Sequence, residues 1–374
     1  MTTVHDLARR QFIRKSAVAL AASALPAINF AQSVAAARQF SPQAGPWRTF
    51  DVTTRVDIAQ PQGVTKVWLP VPSVNTDWQQ SQSSSFSSNG KTQLTSDAHD
   101  GARMLYVEFA DGVAQPYVEL TSRIQTQNRA VNWAQKQTVS EDASTLQARL
   151  AATALLPTDG IVRKTARQAI AGARTDVEKA QHIFDWIVAN TYREPKTLGC
   201  GEGDIKSMLE TGNLGGKCAD LNALFVGMCR SVGLPARDVY GLRLAPSAFG
   251  YRELGGNPAK LQGAQHCRAE VFLKHHGWVA MDPADVAKVM RQETPEWIKS
   301  TRHPLVAPVN QGLFGGWEGN WMAYNTAHDV SLPHSTGDKL GFFMYPVAET
   351  AAGRLDSYSP DSFKYQISVK EIKA

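Results

Sequence analysis

Paired metal-ligand spacings, long apolar runs and a one-sided charge are all missing from this chain. Its four cysteines are Cys200, Cys218, Cys229 and Cys267, and no Cys-x-x-Cys or His-x-x-x-His pair occurs. That excludes zinc-finger and dithiol-redox spacings, so no metal and no other cofactor is expected. After residue 40 no segment supplies the about 20 apolar residues of a membrane-spanning helix, so no stable membrane span is expected. Charge has no dominant sign. The 374 residues carry a formal +5, but Arg9, Arg10, Arg14 and Lys15 against Asp6 put +3 of it in residues 1–37, leaving 5 − 3 = +2. So small a surplus excludes a polybasic nucleic-acid or membrane contact.

What is there begins with the N-terminus. Arg9-Arg10-Gln11-Phe12-Ile13-Arg14-Lys15 is a twin-arginine pattern, Ser16 to Ala31 is a modestly apolar, alanine-rich core, and Ala35-Ala36-Ala37 supplies small residues for cleavage. A short apolar region behind basic residues is an export signal rather than a span. Residues 1–37 are therefore read as a twin-arginine signal peptide, and the destination as the bacterial periplasm or exterior. The remaining length, and the 43% hydrophobic content of the whole chain, fit two globular domains.

Most of the chemistry lies in three residues. Cys218 follows Gly215-Gly216-Lys217 and opens a run in which Leu221, Leu224, Phe225, Met228 and Val232 recur at helical spacing. Gly233 and Pro235 end that helix. A thiol at a helix N-terminus is helped toward thiolate by the dipole. His266 opens a strand in which Ala269, Val271 and Leu273 alternate with Arg268, Glu270 and Phe272. After the turn Lys274-His275-His276-Gly277, the chain returns through Trp278 to Met281 and reaches Asp282. A hairpin would set Asp282 beside His266, one imidazole nitrogen on the carboxylate and the other facing the thiol: nucleophile, base and orienter.

Four ordered motifs carry a family resemblance: Gly216-Lys217-Cys218-Ala219-Asp220, Gly233-Leu234-Pro235-Ala236-Arg237, His266-Cys267-Arg268-Ala269-Glu270-Val271 and Gly277-Trp278-Val279-Ala280-Met281-Asp282-Pro283. Over roughly residues 155–290 the chain resembles the transglutaminase-like superfamily of cysteine enzymes. The resemblance implies an α+β fold with a papain-like transglutaminase core, in which a helical lobe with an N-terminal cysteine helix packs on an antiparallel sheet. It also implies that Cys218 is the nucleophile, His266 the base and Asp282 the orienter. Cys267 and Arg268 stand where the family commonly has small and aromatic residues, and Arg268 is expected to change the charge beside the cleft.

Around this core, residues 45–135 read as an N-terminal β-sandwich, from alternating runs and the Asn89-Gly90 and Asp111-Gly112 turns. Ser81–Ser88 reads as a mobile serine-rich loop. Residues 141–290 form the catalytic core. It holds helices at Ile161–Ala171 and Asp176–Asn190, the latter with a face of Val177, Ala180, Ile183, Phe184, Ile187 and Val188. The 246–264 loop is a candidate cleft wall. After Pro283 the chain reads as irregular, and 291–374 as a β-rich extension packed on the core whose late strands extend the catalytic sheet.

Several residues take ordinary readings. Asp220 is a helix-start cap. Cys229 is a core thiol. Trp317, Trp321 and Tyr324 are core aromatics. His275, His276, His303, His328 and His334 are structural or exposed. With Cys218 set aside, a Cys200–Cys267 bridge and free thiols both stay open. The Cys218 N–H is a natural oxyanion donor, with Asn213 a weak candidate for a second. The expected function is exported, cysteine-dependent hydrolysis of peptide or amide bonds through a thioester, acting on protein or cell-wall peptides. A crosslinking protein-glutamine transferase and a non-catalytic binding or scaffold module are the alternatives.

Overall fold

The first strand shows how alternation builds the outer layer. Arg48–Ile58 buries every second side chain, among them Phe50, Val52, Val56 and Ile58. The fold is taken from a computed structural model, which describes residues 38–361 and 363–373. The export-signal reading of 1–37 lies outside those residues.

Arg48–Ile58 pairs antiparallel with Tyr117–Thr126 on one side and Phe363–Ile372 on the other, and Gln79–Ser88 forms the far edge. A second sheet runs Gly353–Arg354, Val347–Thr350, Thr65–Pro70, Arg103–Phe109, Lys91–Ser96. Val56, Ile58, Val67, Leu69, Leu105, Val107, Phe109 and Val118 fill the space between the two. Each such side chain contributes about 1.5–3 kcal/mol when fully buried.

Two expectations change here. Ser81–Ser88 is not a loop but part of the edge strand, with a bulge between Ser81 and Ser83. Its hydroxyls extend the pairing: Ser84 meets Ser122 at 2.9 Å, and Ser88 donates to the Tyr117 carbonyl at 2.7 Å. Backbone pairing here overrides weak strand propensity. The late strands also go elsewhere. Of 291–374, Trp321–Asn325 joins the catalytic sheet, but Val347–Thr350 and Phe363–Ile372 return to the sandwich. Sandwich and core thus share their C-terminal chain and lie in one compact unit.

The core is mixed helix and antiparallel sheet, the α+β class expected. Its sheet runs Gly277–Met281, Gln265–Leu273, Ala236–Arg243, Trp321–Asn325. The helix Cys218–Ser231 packs on it, with helices Gly160–Ala169, Asp176–Asn190, Ile205–Thr211 and Pro283–Gln292 around it. Cys218 through Arg230 are all buried, not only the apolar face, because helices cover the side away from the sheet. Helix Asp176–Asn190 buries Ala180, Ile183, Phe184, Ile187 and Val188 as its spacing predicts. Its start is a capping box: Thr175 Oγ1 accepts from the Glu178 N–H at 3.2 Å, and the Glu178 carboxylate accepts from the Thr175 N–H at 3.0 Å.

The segment after Pro283 is helical rather than irregular, running Pro283–Gln292. Asp282 is its N-cap and Pro283 opens its first turn. Proline is favoured there because that N–H has no intrahelical partner.

Candidate active site

Three elements converge on one cavity. The cysteine helix brings Cys218 as its first residue, strand Gln265–Leu273 brings His266 as its second, and Asp282 closes the hairpin where strand gives way to helix. Cys218 is 3% exposed, His266 3% and Asp282 0%.

The start of the cysteine helix is held from outside the helix. The Asp220 carboxylate accepts from the Lys217 N–H at 2.8 Å and from the Glu202 and Gly203 N–H groups at 2.9 Å each. The expected cap is therefore also a clamp on the 200–203 loop. Gly201 sits at φ +91°, and a Cβ there would fall 1.8 Å from Asp220 Oδ2, so only glycine lets the loop approach. On the sheet, Gly241 pairs with His266, and a Cβ on it would meet the Met322 carbonyl at 2.0 Å.

His266 Nε2 lies 2.7 Å from Asp282 Oδ2 and 3.3 Å from Asp285 Oδ2. The other ring nitrogen is left for the Cys218 side, where the imidazole favours the thiolate. Asp282 Oδ1 accepts from the Asp285 N–H at 3.1 Å and from Asn222 Nδ2 at 3.2 Å. Asn222 also donates to the Cys267 carbonyl at 2.8 Å, tying the cysteine helix to both other elements. Arg243 pairs with Asp285 at 2.5 Å, and Arg268 Nε stands 3.5 Å from Asp282. Asp285, Asn222 and Arg243 were not singled out from the sequence. Their only sequence signal is an acid three residues past an N-cap and a polar residue one turn below the thiol.

Electrostatics follow from this packing. Burial works against a Cys218 thiolate, but the Cys200 and Cys267 thiols and His266 outweigh it, and the Cys218 pKa falls well below an ordinary thiol's. Burial and Arg243 disfavour a charged His266, yet Asp285 and Asp282 win and raise its pKa to about 9. Burial opposes ionisation of Asp285 too, but Arg243 and His266 hold its pKa well below the carboxylate range. The packing thus favours the charged form of both groups, thiolate for Cys218 and imidazolium for His266.

The cavity at these groups has a volume of about 290 Å³. Gly255, Gly256, Asn257, Lys260, Gly263 and Ala264 form one wall, as expected of the 246–264 loop. Arg193, Arg243, Lys260 and Lys288 also line it, and no carboxylate does. Arg243 is paired with Asp285 and Lys288 with Glu253, which leaves Arg193 and Lys260 without acidic partners among the described residues. A larger cavity of about 990 Å³, between Trp133, Asp185, His276 and Phe314, shares no residue with this one and has no thiol in its wall. The chemistry points to the smaller.

Other residues fall apart from the site. Asn213 does not line the cavity; its side chain caps the Gly215 N–H at 3.3 Å. Arg268 does not face the cleft either. It is buried over Trp321 and Trp317, with guanidinium-to-ring distances of 4.6 and 5.1 Å. The strand's polar alternates are thus inside: Glu270 is buried between Arg129 and Arg237. Trp317, Trp321 and Tyr324 are core residues, as read. His275, His303 and His334 are exposed and His276 half-buried, while His328 is buried 3.3 Å from Asp238. Cys200, Cys218, Cys229 and Cys267 are all free thiols, so the Cys200–Cys267 bridge is not formed.

Residues 163–283 match the model of the transglutaminase-like superfamily. An uncharacterized protein of Haemophilus influenzae is 33% identical over 86% of this chain and 91% of its own. Among solved structures, a candidate cysteine protease from Cytophaga hutchinsonii aligns over 89% of this chain and 93% of its own, with a TM-score of 0.53 at 14% identity. That likeness is one of fold. The periplasmic domain of TgpA from Pseudomonas aeruginosa aligns over 69% of this chain and 76% of its own, at 20% identity and a TM-score of 0.35. No helix among the described residues is long and apolar enough to cross a membrane.

Proposed function

This chain belongs to the transglutaminase-like superfamily, and we propose that it is an exported cysteine hydrolase that cleaves peptide or amide bonds through a thioester. The observation that carries the reading is a single imidazole 2.7 Å from a buried carboxylate, in the wall of a cavity shared with the Cys218 thiol. Cys218 Sγ attacks the amide carbonyl carbon, forming a C–S bond and an oxyanion. The Cys218 N–H is one donor to that oxyanion. As the C–N bond breaks, His266 gives its proton to the leaving amine. Water then enters. His266 takes its proton, hydroxide adds to the thioester, and the acid leaves as the Cys218 thiolate returns.

Arg193 and Lys260 favour an acyl donor with a carboxylate near the scissile amide. Together with a periplasmic or secreted location, this fits acidic cell-wall or protein peptides. The test has two arms. Iodoacetamide at pH 6 labels Cys218 selectively in the wild-type chain and loses that selectivity in His266→Ala; labelling no faster than a free thiol's sinks the enzyme reading. A peptide-library digest by mass spectrometry then yields cleaved products, whereas crosslinked ones favour the transferase.

A further inference from the structure

Around Cys218 the fold gathers more sulfur than acyl transfer needs. The Sγ atoms of Cys200, Cys218 and Cys267 all lie within 4.8 Å of one another, and all three residues are buried. A fourth sulfur follows: Met344 Sδ is 3.9 Å from Cys267 Sγ. The four come from the loop before the cysteine helix, the helix start, the imidazole strand and the chain ahead of Val347–Thr350, so no sequence spacing announces them. Cys229 is not among them. It lies eleven residues along the same helix, about 16 Å at the usual rise.

The donor set selects its ligand. Thiolate and thioether sulfurs without a carboxylate suit soft ions, Cu(I) above all. Three thiolates and one monovalent cation leave a charge of −2. Lys217, Arg243 and His266 lie around it, the last two already paired with Asp285 and Asp282, and the Asp220 carboxylate holds the same helix start. The Tyr345 hydroxyl donates to Cys200 Sγ at 3.1 Å, and that thiol donates in turn to the Gln265 carbonyl at 3.2 Å. The cavity wall at Cys218 provides an entry path.

We propose that Cys200, Cys218 and Cys267 form a trigonal thiolate site for a soft monovalent cation, Cu(I) foremost, with the Met344 thioether as an additional soft donor. The proposal stands on the sulfur geometry and does not depend on Cys218 turning over a substrate. Three S–Cu bonds form and no electron moves, since copper enters and stays as Cu(I). Every thiol proton displaced as an S–Cu bond forms passes to solvent. Occupancy also removes Cys218 from any acyl chemistry.

The experiment titrates the full, reduced chain with Cu(I) under anaerobic conditions against a chromophoric Cu(I) chelator, with the melting temperature as a second readout. One equivalent binds per chain, X-ray absorption shows a sulfur-only shell, and the melting temperature rises, because ligands from four distant segments meet only in the folded state. Cys200→Ser and Cys267→Ser each weaken binding by more than about 100-fold, beyond what outer-shell partners contribute, while Met344→Leu costs about tenfold. Cys229→Ala binds as wild type. Should Cys267→Ser fail to fold, Cys200→Ser, in a loop, still decides. Wild-type affinity in Cys200→Ser, an equal loss in Cys229→Ala, displacement of Cu(I) by equimolar Zn(II), or a wild-type chain unable to compete with the chelator each overturns the proposal.

Discussion

Strand Arg48–Ile58 of the sandwich and strand Gln265–Leu273 of the core both lie inside four-stranded antiparallel sheets, yet they bury their residues in different ways. The first alternates strictly between buried and half-buried positions beyond its opening residues. The second is buried at all nine. In the sandwich one face meets the opposite sheet and the other meets water, so polarity follows the pleat. In the core both faces are covered, by the cysteine helix on one and by Trp317, Trp321 and Arg129 on the other. Polar residues there must be satisfied inside the protein. That is why Glu270 is held by two arginines, Arg268 lies over two indoles, and His266 is held by two aspartates. The difference teaches that the core's polar residues are where chemistry is concentrated, and where substitution couples function to stability.

The comparison can be broken most forcefully at Asp282. Asp282→Ala removes the carboxylate on His266 and the N-cap of Pro283–Gln292 together. Peptide turnover is expected to fall by about 10⁴-fold, with about 3–5 kcal/mol lost from stability as a buried pair is broken. Kinetics and urea unfolding on the same sample check both; loss of one alone separates the two roles. Leu105→Ala, between the sandwich sheets, is expected to cost about 2–5 kcal/mol while leaving the Cys218 labelling rate of the folded protein unchanged. A changed labelling rate would show the layers to be coupled through their shared C-terminal strands.

The pH profile sharpens the same contrast. With the thiol pKa lowered and that of His266 raised to about 9, kcat/KM is expected to fall as pH rises through about 9, where the proton donor is lost. The stability linkage has the same sign. A free imidazole titrates near 6.5, so stabilisation from charged His266 is complete below that value and disappears as pH rises through about 9. A profile without an alkaline limb near there contradicts the ion pair. Lys260→Glu is expected to raise KM for acidic peptides about tenfold, or about 1.4 kcal/mol, with kcat and stability unchanged. The smallest effect lies in the core but away from both strands: Thr175→Ala breaks a capping box and is expected to cost about 1 kcal/mol in thermal unfolding, without altering labelling.

Much of this architecture is legible in the sequence, and each departure has its own cause. Helix Asp176–Asn190 and the sandwich strands follow from period, because their burial is one-sided. The cysteine helix and the hairpin were placed by motif as well as by pattern. Ser81–Ser88 was misread because an edge strand takes its order from its neighbour's backbone and needs no apolar signal of its own. Helix Pro283–Gln292 stands where the sequence reads as irregular, although Asp282-Pro283 is a helix-start signature.

By itself the sequence determined local events: which runs become strands or helices, the thiol at a helix start, and the order of thiol, imidazole and carboxylate. Those depend on neighbours a few residues apart. Only the tertiary structure decided that Asp285 shares His266 with Asp282, that Arg268 turns inward, that the last strand completes the sandwich, and that four sulfurs meet. Each joins segments far apart in the chain, and chain closure over such distances is set by packing of the whole, not by any local preference.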